Sequence, residues 1–133
     1  MTQNNITETR IASAYKDEND IIIITMKGCG RIDEYDVVDF NLVLRHITLG
    51  KPALKLLDGR ANWSMDRKAK ERAKLENNSQ HTIARAVLVS NFIKAALFKY
   101  LHELGKKGFP QEFFTDKEEA YKWLLSLKQK TKD

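Results

Sequence analysis

The chain has 133 residues, 42% hydrophobic and 31% charged, with a formal net charge of +5, which leaves room for one globular domain with a proper core and not for two. A single cysteine, Cys29, excludes an intrachain disulfide and a cysteine-based zinc site, and points to a reduced, cytoplasmic setting. No apolar run approaches a membrane span, and the polar opening MTQNNITETR lacks the basic-then-apolar order of a secretory leader. One unsecreted domain over 1–133 is expected, with 1–7 and 129–133 frayed.

Residues 9–16 (TRIASAYK) and 20–27 (DIIIITMK) flank the turn formers Asp17, Glu18 and Asn19 and predict an antiparallel hairpin. Four isoleucines in succession, Ile21 to Ile24, predict a strand covered on both faces. Gly28, Cys29 and Gly30 break it; the glycines read as turn residues and Cys29 as a buried, inert thiol. From Arg31 to Leu49 the apolar residues form two helical stripes, Val37, Phe40, Leu44 and Ile47 on one side, Tyr35, Val38, Leu42 and Leu49 on another. A helix with two such stripes is wedged between layers or takes part in an interface.

Residues 53–58 (ALKLLD) predict a buried strand that ends at a turn, and after Trp63 a basic helix follows on a narrow seam of Met65, Ala69 and Ala73. Its cations (Arg67, Lys68, Lys70, Arg72 and Lys74, with Arg60 before them) share one segment, while Asp33, Glu34, Asp36 and Asp39 share another, the acidic first helix. That distribution suits a solvated face or a polar protein partner. Nucleic acid is not favoured, because no aromatic or amide side chains interleave the basic residues after Trp63. Residues 84–90 (ARAVLVS) predict another strand, and 91–104 a helix with Phe98 off its main apolar face. A short strand over 111–114 precedes a capping box, Thr115-Asp116-Lys117-Glu118, that opens the last helix with Ala120, Trp123, Leu124 and Leu127 inward.

The order is ββαβαβαβα, an α/β fold with a mixed, mainly parallel sheet of about five strands and four helices. Alternation should bring Gly28, Asp58, Ser90 and Phe114 to one rim of the sheet, where ligands and partners dock in such folds. With KLLDGR, ARAVLVS and FFTDKEEAYKWL in that order, the chain resembles the STAS domain family of anti-sigma factor antagonists, and within it the SpoIIAA-like branch of small bacterial proteins related in shape to the CRAL-TRIO lipid carriers. The resemblance implies a regulatory or ligand-sensing module rather than an enzyme. It also implies a phosphorylatable serine directly after the Asp that ends the central strand. Here Gly59, Arg60 and Ala61 follow Asp58, and the nearest hydroxyl is Ser64.

Two functions are consistent with these residues. The first is docking of a partner protein at the carboxyl rim through Asp58, Arg60, Trp63 and Ser64. Ser64 is a candidate phosphosite if it begins the basic helix, or an ordinary N-cap. Trp63 is a lid over the core or an anchor for the partner, and Phe98 a candidate contact of a symmetric homodimer. The second is a small apolar or anionic ligand held between helices, as the CRAL-TRIO likeness implies, in a cavity lined by Phe40, Trp63, Phe92 and Phe98. His46, His81 and His102 are scattered, so no metal or other cofactor is expected, and nothing supplies a nucleophile or general base.

Overall fold

A computed structural model describes residues 5–77, 81–91 and 109–131. Its elements are β1 (Thr7–Glu8), β2 (Ala12–Lys16), β3 (Ile21–Met26), β4 (Gly30–Ile32), α1 (Glu34–Thr48), β5 (Ala53–Asp58), β6 (Trp63–Met65), α2 (Arg67–Asn77), β7 (Thr82–Leu88), β8 (Gln111–Phe114) and α3 (Lys117–Thr131). The main sheet runs β1-β2-β3-β5-β7-β8, antiparallel at its first two pairings and parallel thereafter, while β4 and β6 form a separate parallel pair. The mixed, mainly parallel sheet is therefore as expected, with six strands instead of five because β1 joins its edge. The helix expected over 91–104, with Phe92 and Phe98, lies outside the described residues. Regular structure also reaches into both stretches expected to fray, since β1 begins at Thr7 and α3 runs to Thr131.

The hairpin between β2 and β3 closes on Asp17, whose carboxylate accepts the backbone N–H groups of Asn19 at 2.9 Å and Ile21 at 3.0 Å, while Asp20 takes the left-handed φ of 62°. Side chains on a strand alternate between faces, so the isoleucine run serves two cores. Ile22 and Ile24 join Ala12, Ala14, Val37, Leu44 and Ala69 under α1 and α2. Ile21 and Ile23 join Leu54, Leu56, Ala86, Leu88, Ala120 and Leu124 under α3. Leu124 is fully buried, a contribution of about 1.5–3 kcal/mol on the usual transfer scale.

Three helix starts differ from the sequence expectation. β4 occupies Gly30–Ile32, so α1 begins at Glu34 on an Asp33 cap that accepts Asp36 N–H, while the Asp36 carboxylate returns the bond to Asp33 N–H. Ser64 sits inside β6 opposite Arg31, and the cap of α2 is Asp66, whose Oδ1 accepts Ala69 N–H at 2.8 Å. Asp116 rather than Thr115 caps α3, accepting Glu118 N–H at 3.2 Å. In each case an Asp nearer the helix takes the free amides, because its short carboxylate reaches them.

Arg10 ties the sheet edge to the start of α1. Its guanidinium donates to both Asp36 carboxylate oxygens, at 3.0 and 2.5 Å, and to the carbonyls of Cys29 and Arg31. The hydrogen bond from Arg10 holds the Asp36 carboxyl down at about 2. At the other end of the molecule Tyr121 on α3 donates to Asp17 and accepts from Asn19 Nδ2 at 2.9 Å, with Lys128 Nζ on the Asn19 carbonyl at 2.6 Å. Burial first, then the Asp17 carboxylate, pushes the Tyr121 hydroxyl up to about 12.

Candidate functional site

The four parallel strands do end along one edge: Asp58 stands opposite Thr25 of β3 and Leu88 of β7, and Leu88 opposite Phe114 of β8. The connection leaving β5 carries all four residues singled out at the rim. Asp58 accepts Arg60 Nε at 2.9 Å and Nη2 at 2.8 Å, a two-pronged ion pair, and its Oδ1 also accepts Arg60 N–H at 3.1 Å. The Arg60 hydrogen bond draws the Asp58 carboxyl below its ordinary value. Trp63 is half-buried against the core under α1 and α2, and its indole N–H donates to the Gly59 carbonyl at 3.1 Å. Gly59 N–H in turn donates to Leu88 O at 3.1 Å, which straps the turn to β7. Trp63 thus packs onto the core with its indole anchored to the turn after β5.

Ser64, like Arg60, is exposed. It lies on β6, which pairs only with β4 among the described residues, and its neighbours in register and sequence include Arg31, Arg60 and Arg67. The rim is a charged but largely self-satisfied surface, because Asp58, Arg60 and Trp63 already hold one another or the backbone. Cys29 nearby is partly buried rather than fully enclosed.

A second feature lies deeper. Between α1, α2 and the sheet there is a pocket of about 140 Å³, close to the roughly 150 Å³ of an engineered apolar cavity that accepts benzene. Its floor and wall are apolar, with Ile24, Met26 and Leu57 from the sheet and Val37, Phe40 and Leu44 from α1. Its polar lining is Asn41, Arg45, Thr48, Lys55, His81, Thr82 and Arg85, and no acid lines it among the described residues. Phe40 was expected in such a cavity, whereas Trp63 is absent from the lining, because its ring is turned onto Gly59. The location differs too. His81 and Thr82 lie at the start of β7, where His81 O accepts Ala53 N–H, and Thr48 ends α1. The polar lining therefore collects toward the amino edge of the parallel strands, away from Asp58.

Two of these groups are neighbours in the ladder: Lys55 of β5 is the register partner of Arg85 of β7, and both side chains reach the pocket. Lys55 is buried and its Nζ donates to Thr82 Oγ1 at 2.8 Å. Arg85 Nε donates to Gln111 Oε1 at 2.5 Å, and its guanidinium lies 5.3 Å from the centre of the Phe109 ring. Both make further contacts. Burial lowers the Arg85 pKa to about 10, so the fold holds this cation at a cost in solvation. Asn41 adds a buried amide nitrogen with no hydrogen-bond partner among the described residues. Sequence reasoning passed over Lys55 and Arg85, although each is a long cation flanked directly by apolar residues, Leu54 and Leu56 or Ala84 and Ala86.

Among the described residues no group of three or more His, Cys, Asp or Glu gathers in metal-binding fashion, and no helix is long and apolar enough to cross a membrane. The structure resembles that of an uncharacterized protein of the DUF3478 family with a SpoIIAA-like fold from Shewanella loihica PV-4, at a TM-score of 0.65 and 14% identity, over 93% of this chain and 97% of that one. The fold is accordingly SpoIIAA-like, as the order of KLLDGR, ARAVLVS and FFTDKEEAYKWL implied. No curated protein matches the sequence. Residues 15–128 match the family described as Domain of unknown function (DUF7793), and the chain belongs to that family.

Proposed function

We propose that this domain is a non-catalytic binding module that holds a small amphipathic anion between α1, α2 and the sheet. The observation that carries the reading is the side-by-side placement of Lys55 and Arg85 at a pocket whose floor is apolar and whose polar lining holds no acid among the described residues. Like charges opposite each other in a sheet disfavour the ladder, and a buried cation is held at a solvation cost. An anionic head group joining them would act where water screens least. Asn41 Nδ2, without a partner among the described residues, supplies a neutral donor to the same ligand, and Phe40, Leu44 and Leu57 suit a short hydrocarbon tail. A lone cysteine fits a cytoplasmic carrier or sensor of such a molecule.

Hexanoate, 1-hexanol and hexylammonium share a tail and differ in head charge, so calorimetric titration with all three separates the contributions. Hexanoate should bind and raise the unfolding midpoint, since a ligand held only by the folded state stabilises it. Lys55→Met should weaken hexanoate by roughly tenfold or more, about 1.4 kcal/mol per decade. Equal binding of hexylammonium, or no binding of any of the three, would sink the proposal.

The exposed, basic setting of Ser64 on the one-sided strand β6 favours a second reading, docking of a partner protein at the rim under control of a phosphate there. Mass spectrometry of Ser64 in protein from its native cells tests it, and an unmodified residue across growth conditions would remove the switch.

A further inference from the structure

The pocket contains a nucleophile that anion binding alone leaves unused. Among the described residues Lys55 is the only lysine that is buried. It stands mid-strand in β5, and with Leu57 two residues on it lines the pocket below α1. On the neighbouring strand Arg85 is its register partner and lines the same space. Burial and a second cation alongside both favour a neutral amine over the ammonium ion. Those are the surroundings that make a lysine a nucleophile toward carbonyl groups. The bond from Lys55 Nζ to Thr82 Oγ1, at 2.8 Å, sets the direction of the amine and is one that its neutral form also makes.

We propose that Lys55 forms a reversible imine with a 2-oxo acid carrying a short hydrocarbon tail, while Arg85 holds the carboxylate of that acid. The proposal deepens the anion-binding reading of the pocket and rests on it. Neighbouring strands lie about 4.8 Å apart, so the side chains of two register partners can reach neighbouring atoms of one small molecule. A 2-oxo acid has its carboxylate and its ketone on adjacent carbons. The Lys55 nitrogen adds to the ketone carbon as the carbon–oxygen π bond opens. Its two protons then leave with that oxygen as water, and a carbon–nitrogen double bond remains. Nothing is oxidised or reduced, and no co-reactant is consumed. Phe40, Leu44 and Leu57 receive the tail and keep bulk water from the imine. An acid without the ketone stops at the ion pair, so the two classes share a site and differ in what Lys55 does.

The test is trapping of the full chain with 2-oxohexanoate and sodium cyanoborohydride, followed by mass spectrometry of the intact protein and its peptides. One fast adduct should form, heavier by the ligand less one oxygen atom, and it should map to Lys55. Labelling there should outpace the exposed Lys68 and Lys70 by roughly tenfold or more, because more of the Lys55 amine is neutral at the same pH. Hexanoate should slow it by competing for Arg85. Lys55→Arg retains a cation, so it should still bind hexanoate yet lose the fast adduct. If hexanoate binds and Lys55 is labelled no faster than Lys68, the imine is overturned and the anion site stands. Binding of neither acid removes both.

Discussion

Replacing Ala73 by Leu should make the protein more stable and abolish ligand binding at once. Ala73 lies on α2, half-buried against the first core and on the pocket wall. Leu and Ala differ little in helix propensity, so the effect lies in packing. Three added carbons at about 0.8 kcal/mol per buried CH₂ set an upper bound near 2.4 kcal/mol. Partial exposure of the site and about 0.5–1 kcal/mol of lost rotamer freedom reduce that to roughly 1–1.5 kcal/mol. For a domain of this size the melting temperature should rise by about 3–6 °C. Were the space already filled, the added carbons would overpack it and cost about 1–3 kcal/mol instead, so the sign of the change reports on the space itself. The assay is thermal unfolding with and without hexanoate. A melting temperature that falls, or a variant that still responds to hexanoate as the parent does, would refute the reasoning.

Three further outcomes follow from particular contacts. Asp66→Ala should cost about 1 kcal/mol in urea unfolding while Ser64→Ala changes little, since Asp66 and not Ser64 caps α2; the reverse ranking would restore Ser64 as the cap. Asp36 has a folded pKa of about 2 against roughly 3.9 in an unfolded chain, so its contribution is complete above about pH 4 and lost as the pH falls through about 2. Asp36→Asn should therefore lower stability at neutral pH and flatten the acid limb across that window, as measured by unfolding midpoints against pH. Tyr121→Phe removes the hydroxyl that donates to Asp17 and accepts from Asn19, and should cost roughly 1–2 kcal/mol for bonds to a charged and a neutral partner; hydrogen exchange should quicken at the β2–β3 turn and along α3.

Much of this architecture is legible before any tertiary information, because it depends on local periodicity. Four consecutive isoleucines require cover on both faces, and both cores supply it. Alternating strands and helices predict the parallel order and the common rim, and the acidic and basic helices appear where the charges cluster. What periodicity cannot reach is pairing between short segments. Gly30–Ile32 and Trp63–Met65 are three residues each, too short for a pattern, and are strands only because each supplies the other's ladder. That pairing draws Ser64 out of the helix and passes the cap to Asp66.

The sequence by itself determined the class of fold, the two-sided strand and the four residues gathered after β5, since all of these follow from neighbours along the chain. Only the tertiary structure decided that Asp58 and Arg60 satisfy each other and that Trp63 turns inward. It alone brings Lys55 beside Arg85, thirty positions apart, at a pocket whose far wall is α1. The reason is register: which side chains stand abreast on two strands depends on how the strands are hydrogen-bonded, and that is a property of the assembled sheet.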